Sequence, residues 1–254
     1  MKESDGNYEW LRAVTREADG FYEWDLGAKR MYFIDNAARI ARAFDFQGNR
    51  LVANDIALGA PTGFWAGGMP SPTRVFFVDT QTGRPRYLRA FDHSGNRITA
   101  DDVNLGPASV LLRGGTAFGN RMYYLLGTRM IALDFARNRQ SGDDFSTGVS
   151  GNHQGVIATE TRLFVVSGRN ITSIRTHDGR TVSGENDINL PRGSRTATPT
   201  GGAATPDLVF IVDNANDIAR AYTHSRVRSS SDDINLGSGS WQGGFSIGYP
   251  ELTP

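Results

Sequence analysis

Five times along the chain an unbroken apolar run of about six residues is followed by a run in which apolar and polar positions alternate. The unbroken runs are RMYFID (30–35), RVFFVD (74–79), RMYYLL (121–126), RLFVVS (162–167) and LVFIVD (208–213). Continuous apolar character over so few residues predicts a strand covered on both faces. The alternating partners are RIARAFDF (39–46), RYLRAFDH (86–93), RMIALDF (129–135), NITSIRTH (170–177) and DIARAYTH (217–224). In the first, period-two alternation puts Ile40, Arg42 and Phe44 on one side and Ala41 and Ala43 on the other. Glycine-rich turn signals such as FQGNR, HSGNR and HDGR come next, and they read as hairpin turns. Each unit then reaches an acidic cluster: NDIAL, DDVNL, DDFST, NDINL or DDINL. A short small-residue or aromatic run after a glycine opens each unit. The pattern therefore predicts four strands per unit.

The acidic clusters set the period. Asp55, Asp102, Asp144, Asp187 and Asp233 are 47, 42, 43 and 46 residues apart. A repeat near 45 residues with four strands is the signature of a propeller blade. The expected fold class is all-β: a β-propeller of four-stranded antiparallel blades, with five complete repeats and a partial sixth, or alternatively a truncated or incomplete six-bladed ring. Repeats begin near residues 20, 63, 110, 155 and 201, with the partial one at 243. Residues 1–19 are read as an N-terminal strand or closure segment and 20–254 as the propeller domain. The one stretch with helical spacing is YEWLRAVTREA (8–18).

The segments PTGFWAGG, TRVFFVD, LRAFDHSGNR and ADDVNL resemble bacterial β-propeller repeat proteins of the YVTN and NHL type. The resemblance covers residues 20 to about 249. It implies the fold and favours an extracellular or cell-surface setting, but propellers host unrelated functions, so it implies no activity. The unit pattern is broken where Leu126 and Ser167 replace the Asp that ends the second strand elsewhere.

Composition narrows the classes. Of 254 residues, 39% are hydrophobic and 21% charged, which suits a globular chain. With 27 basic and 27 acidic residues the formal net charge is zero, and no long basic run suggests a nucleic-acid partner. There is no Cys, which excludes disulfides, thiolate metal sites and Cys nucleophiles. The N-terminus lacks the apolar core of a signal peptide, and no apolar run is long enough for a membrane span. Neither a G-x-S-x-G elbow nor a phosphate-binding loop occurs.

Repeat geometry filters the candidate chemistry, because equivalent positions of successive blades are rotated about one axis. The Asp clusters open the outermost strands, so they spread around the rim and cannot share an ion. Arg50, Arg97, Arg139 and Arg228 each lie five residues before the Asp, which suggests Arg–Asp bracing of the hairpin. His93, His177 and His224 share one column with Phe46 and Phe135, which reads as aromatic packing rather than zinc ligation. Candidate binding positions are those expected near the axis on one face. They are Asp35, Asn36, Asp79, Asp213 and Asn214 after the second strands, the aromatics Tyr22, Trp24, Trp65 and Trp241 at or before inner strands, and His153. Asx turns and inter-blade packing are the competing readings of these residues. Glu23, Asp25 and Glu160 could supply acid–base chemistry in a channel, without a spacing that demands it. The expected function is a non-catalytic binding or scaffold propeller that presents one loop face to a protein or glycan partner. It has no cofactor or metal, and no nucleic-acid or membrane partner. The alternatives are a propeller lyase or metal-dependent lactonase with channel carboxylates, and a structural repeat fragment of a larger surface protein.

Overall fold

A computed structural model describes residues 14–17, 20–23, 29–61, 63–80, 85–107, 112–148, 153–159, 162–167, 170–175, 188–189 and 199–247. In chain order the strands are β1 (Val14–Glu17), β2 (Gly20–Glu23), β3 (Arg30–Asp35), β4 (Ile40–Phe44), β5 (Ile56–Ala57), β6 (Phe64–Pro70), β7 (Val75–Thr80) and β8 (Pro85–Phe91). There follow β9 (Val103–Pro107), β10 (Leu112–Phe118), β11 (Arg121–Leu126), β12 (Arg129–Leu133), β13 (Phe145–Ser146), β14 (His153–Ala158) and β15 (Arg162–Ser167). The last are β16 (Asn170–Arg175), β17 (Ile188–Asn189), β18 (Pro199–Ala204), β19 (Leu208–Asp213), β20 (Ile218–Thr223), β21 (Ile234–Asn235) and β22 (Trp241–Ile247).

Three blades are simple meanders: β6–β7–β8–β9, β10–β11–β12–β13 and β14–β15–β16–β17. A fourth, β18–β19–β20–β21, is joined edge to edge with β22–β3–β4–β5 through a single pair, Gly202 with Gly244. In contact order the inner strands β6, β10, β14, β18 and β22 return to β6, so the ring closes. Closure removes the free strand edges that an open array would expose.

This pairing reassigns two segments. The run at Gly243, read from sequence as the start of a sixth unit, belongs to β22 and is the inner strand beside β3. Gly20–Glu23, read as the first strand of the first unit, instead pairs with Val14–Glu17 in a separate two-stranded sheet. Val14–Glu17 is extended and lies within residues 1–19, read from sequence as an N-terminal strand or closure segment. Both GFYEW and GGFSI offer a glycine followed by aromatics. Only the long-range pairing of Gly244 with Phe33 and Phe245 with Tyr32 distinguishes them.

Burial follows the predicted layers. β7 is buried along its whole length, and β3 and β19 are buried at all but their first residue. In β4 Ala41 and Ala43 are buried while Arg42 is half-buried, although Phe44 is buried as well. The core is a series of apolar clusters between neighbouring blades. Trp65 of β6, for example, packs with Tyr32, Leu58 and Phe245 of the preceding blade.

Candidate functional site

Each blade runs inner strand, turn, second strand, turn, third strand, turn, outer strand. The starts of the inner strands, the turns between second and third strands and the links into the next blade therefore share one face. The candidate residues were expected there.

The Asp column at the end of the second strand is buried and neutralised. Asp35, Asp79 and Asp213 are at most 1% exposed. Each carboxylate meets an arginine from the adjacent third strand: Arg42 at 2.5 Å, Arg89 at 2.8 Å and Arg220 at 2.7 Å. Asp35 also accepts the backbone N–H groups of Ala37, Ala38 and Ser240, which forms the Asx turn. In the two blades where the Asp is Leu126 or Ser167, strand register puts Ile131 and Thr172 in the arginine position. The two charges are present or absent together, as expected when a lone buried charge is far costlier than a pair.

The next residue clasps the neighbouring blade. Asn36 donates from Nδ2 to the Trp65 carbonyl at 2.8 Å and accepts from the Trp65 N–H at 2.9 Å. Asn214 accepts the Trp241 N–H at 2.5 Å, and Thr80 accepts the Leu112 N–H at 3.2 Å. Trp65 and Trp241 are themselves buried wedges between blades. The indole N–H of Trp65 donates to the Gly59 carbonyl, and that of Trp241 to Asp217 and the Gly237 carbonyl. His153 occupies the same column and is also buried, with Nε2 3.1 Å from the Thr147 hydroxyl. The residues WAGG, HQGV and WQGG show that Trp65, His153 and Trp241 are one position, an alignment not made in the reading from sequence. Leu58 and Leu236 accompany the tryptophans, whereas Thr147 accompanies the histidine. Tyr22 lies in β2, which pairs with β1 and belongs to none of the blade sheets, and Trp24 lies outside the described residues.

Neighbouring inner strands approach one another most closely at glycine. A Cβ on Gly155 would sit 2.6 Å from Gly201 Cα, and one on Gly67 would sit 2.9 Å from Gly114 Cα. Gly67, Gly114, Gly201 and Gly243 also have positive φ, which L side chains rarely adopt. One residue before these glycines lies a ring that sequence reasoning missed: Ala66, Arg113, Gln154, Thr200 and Gln242. All but Ala66 are half-exposed. Thr200 donates from its hydroxyl to the Trp241 carbonyl and accepts the Gly243 N–H, which ties the ring across two strands. The signal was present as the residue preceding each inner-strand glycine. The five inner strands contain no Asp or Glu. Glu23 lies in β2, and Asp25 and Glu160 lie outside the described residues.

The Asp clusters brace the rim. Asp55, Asp102, Asp144 and Asp233 pair with Arg50, Arg97, Arg139 and Arg228, as the five-residue spacing suggested. Each Asp also accepts a third-strand N–H, from Ala43, Ala90, Ala132 or Ala221, while the paired arginine donates to the carbonyl of that same alanine. The DxxGN turn of the next blade rests on the outer strand, with Gly48 against Ile234 of β21 and Gly95 against Ile56 of β5. Burial alone would raise the Asp144 carboxyl, but the bonds from Arg139 and the Ala132 N–H leave it below the usual range. His93 and His224 bond the carbonyls of Ser71 and Thr205. His177 lies outside the described residues. Among the described residues no three His, Asp or Glu gather as a metal site. A groove of about 560 Å³ opens between the blades of β21 and β4, but Arg42 and Arg50 within it are committed to Asp35 and Asp55.

No protein-family model matches the chain, and no curated protein matches it. Solved structures do. The chain is similar to one in a nidogen/laminin complex, at 12% identity over 87% of this chain and 98% of that one, with a TM-score of 0.57. It is similar to hydrazine synthase of Kuenenia stuttgartiensis at 10% identity, over 88% and 90%, with a TM-score of 0.52. AztD of Citrobacter koseri matches at 14% identity over 82% of this chain and 55% of AztD, with a TM-score of 0.43, so the chain spans about half of AztD's length. The chain is a β-propeller. At these identities the likeness is one of fold alone.

Proposed function

We propose that this propeller, of the YVTN- and NHL-like kind its repeats resemble, is a non-catalytic binding scaffold. It would present the face where its inner strands begin to a protein or glycan partner. One observation carries the reading: the inner strands hold no carboxylate and approach one another at glycine, while the ring one residue before those glycines offers an arginine and two amides. Acid–base catalysis in a channel needs a positioned proton donor or acceptor. The described inner strands offer neither Asp nor Glu, their His153 is buried with Nε2 against the Thr147 hydroxyl, and the buried carboxylates beside them are held by Arg42, Arg89 and Arg220.

The chain has no Cys, so a single introduced thiol can be labelled uniquely. Ala38 is exposed on the strand-start face and Ser94 on the opposite one. The Ala38→Cys and Ser94→Cys proteins, each coupled to a polyethylene-glycol maleimide, are screened on glycan and protein arrays beside the unlabelled chain. Binding that is lost with a label at position 38, kept with one at 94, and unaccompanied by any mass change in the ligand is the expected outcome. Turnover of the ligand, or loss only with the label at 94, would reject the reading.

A further inference from the structure

Among the described residues, the uncommitted exposed charge of the strand-start face has one sign. Arg39 is exposed in the turn after β3, and it has no ion pair among the described residues. Arg113 stands in the ring at the mouth, half-exposed and likewise without an ion pair among the described residues. The Arg129 side chain is 62% exposed at the start of β12 and approaches Asp144 only at 3.6 Å. The carboxylates of this face are spent. Asp35, Asp79 and Asp213 lie buried against arginine, and Asp217 accepts the Trp241 indole N–H at 3.0 Å. The described residues that link outer to inner strands, 58–61, 63, 105–107, 147–148 and 236–240, contain no Asp or Glu. This occurs in a chain whose formal net charge is zero, so the excess belongs to the face and not to the protein.

What the face lacks narrows the ligand. Among the described residues the exposed large apolar side chains are Val52 and Val227, both in connections between third and outer strands on the opposite face. A protein interface is centred on exposed aromatic or apolar anchors, and none is exposed here. Nucleobases need aromatic platforms, but Trp65 and Trp241 are buried between blades, and of the half-exposed aromatics Phe64 packs on the core while the Tyr87 ring lies under Arg89. What remains is planar guanidinium groups suited to carboxylates, with the amides of Gln154 and Gln242 at the mouth, whose chemistry suits sugar hydroxyls.

We infer that the strand-start face binds a carboxylated glycan, a chain of uronate-type sugars. Arg39, Arg113 and Arg129 take the carboxylates, and the mouth ring takes hydroxyls of the residue over the axis. This rests on the binding-face reading above and adds the ligand class to it.

The probes are an oligogalacturonate and the same oligosaccharide with its carboxylates methyl-esterified, titrated calorimetrically against the full chain at low and physiological salt. The acidic probe is expected to bind at least tenfold more tightly than the ester, with affinity falling as salt rises. The Arg39→Gln/Arg113→Gln/Arg129→Gln protein, checked for an unchanged melting curve, should lose that tenfold preference. Equal binding of ester and acid, an acid preference that survives the triple substitution, or tighter binding of polyglutamate than of oligogalacturonate would each overturn the inference. If the ester binds as well as the acid and a label at position 38 still blocks it, the ligand class is wrong while the binding face stands. If a bound saccharide is blocked only by a label at position 94, the face itself is wrong.

Discussion

Asp213 illustrates how a residue can look functional and be structural. It is fully buried and meets Arg220 through two nitrogens, Nε at 2.9 Å and Nη2 at 2.7 Å. Removing one partner strands a buried charge, which costs about 3–5 kcal/mol. The blade of β11 and β12 shows that the site also works without charge, since Leu126 and Ile131 occupy the equivalent positions. Arg220→Ile alone should therefore destabilise by about 3 kcal/mol, and Asp213→Leu/Arg220→Ile should recover most of that loss in urea-denaturation midpoints. A ligand-binding Asp213 would instead leave stability nearly unchanged in the single variant. Arg226 offers a second test at this scale. Its φ of 70° matches Gly48 at 85° and Gly95 at 86° in the equivalent turns. Left-handed backbone costs an L residue about 1 kcal/mol, so Arg226→Gly should raise the midpoint slightly. The same scale shows what sequence withheld. Asp35, Asp79 and Asp213 were visible as a column, but their arginines sit on the next strand, and the pairing emerges only once strand register aligns them. Trp65, His153 and Trp241 seemed separate binding candidates because the glycine pair that aligns them was not used as the anchor.

Between residues and the ring stands the hairpin of third and outer strands, which the sequence shows almost completely. The recurring D-x-x-G-N-R turn and the Asp five residues after its arginine are both local, so spacing alone exposes the brace. Asp92 and Asp101 are held below the ordinary carboxylate range along with Asp144. Burial works against Asp92, but bonds from Asn96 and Ser94 outweigh it; for Asp101 the bond from Arg74 is the chief cause. A carboxylate whose folded pKa lies below its unfolded value binds fewer protons when folded, so its stabilisation is present above about pH 4 and is lost as pH falls through the folded value. Denaturation midpoints should hold between pH 5 and neutrality, as far as these groups are concerned, and decline below about 4. Asp144→Asn should lower the midpoint at neutral pH and flatten the acid decline. An unchanged acid slope in that variant would mean the brace contributes nothing to the linkage.

At the scale of the whole molecule the decisive contact is between the far ends of the described chain. β22 pairs with β3 from Trp241 and Asp35 through to Ile247 and Arg30. No local pattern could announce this, because GFYEW at residue 20 and the glycine-aromatic run of β22 satisfy the same inner-strand template and only one has a neighbour to pair with. If this pairing holds the ring shut, it is also where the ring must part on unfolding. A covalent tie at that point should act on nearly the entire domain. Cys introduced at Arg30 and Ile247, register partners in an otherwise cysteine-free chain, would enclose almost all of the described strands in one loop. The chain-entropy account assigns such long loops up to about 5 kcal/mol, less any strain from imperfect geometry. The oxidised protein should melt well above its reduced form, while each single-Cys variant melts alike with or without reductant. If the bond forms but the melting temperature does not move, the blades separate elsewhere first. The seam between β10 and β14 is then the place to look, since Gly127 stands there in the position of the Asn36, Thr80 and Asn214 clasps. Hydrogen exchange across Leu112–Phe118 and His153–Ala158 would then run faster than across β22.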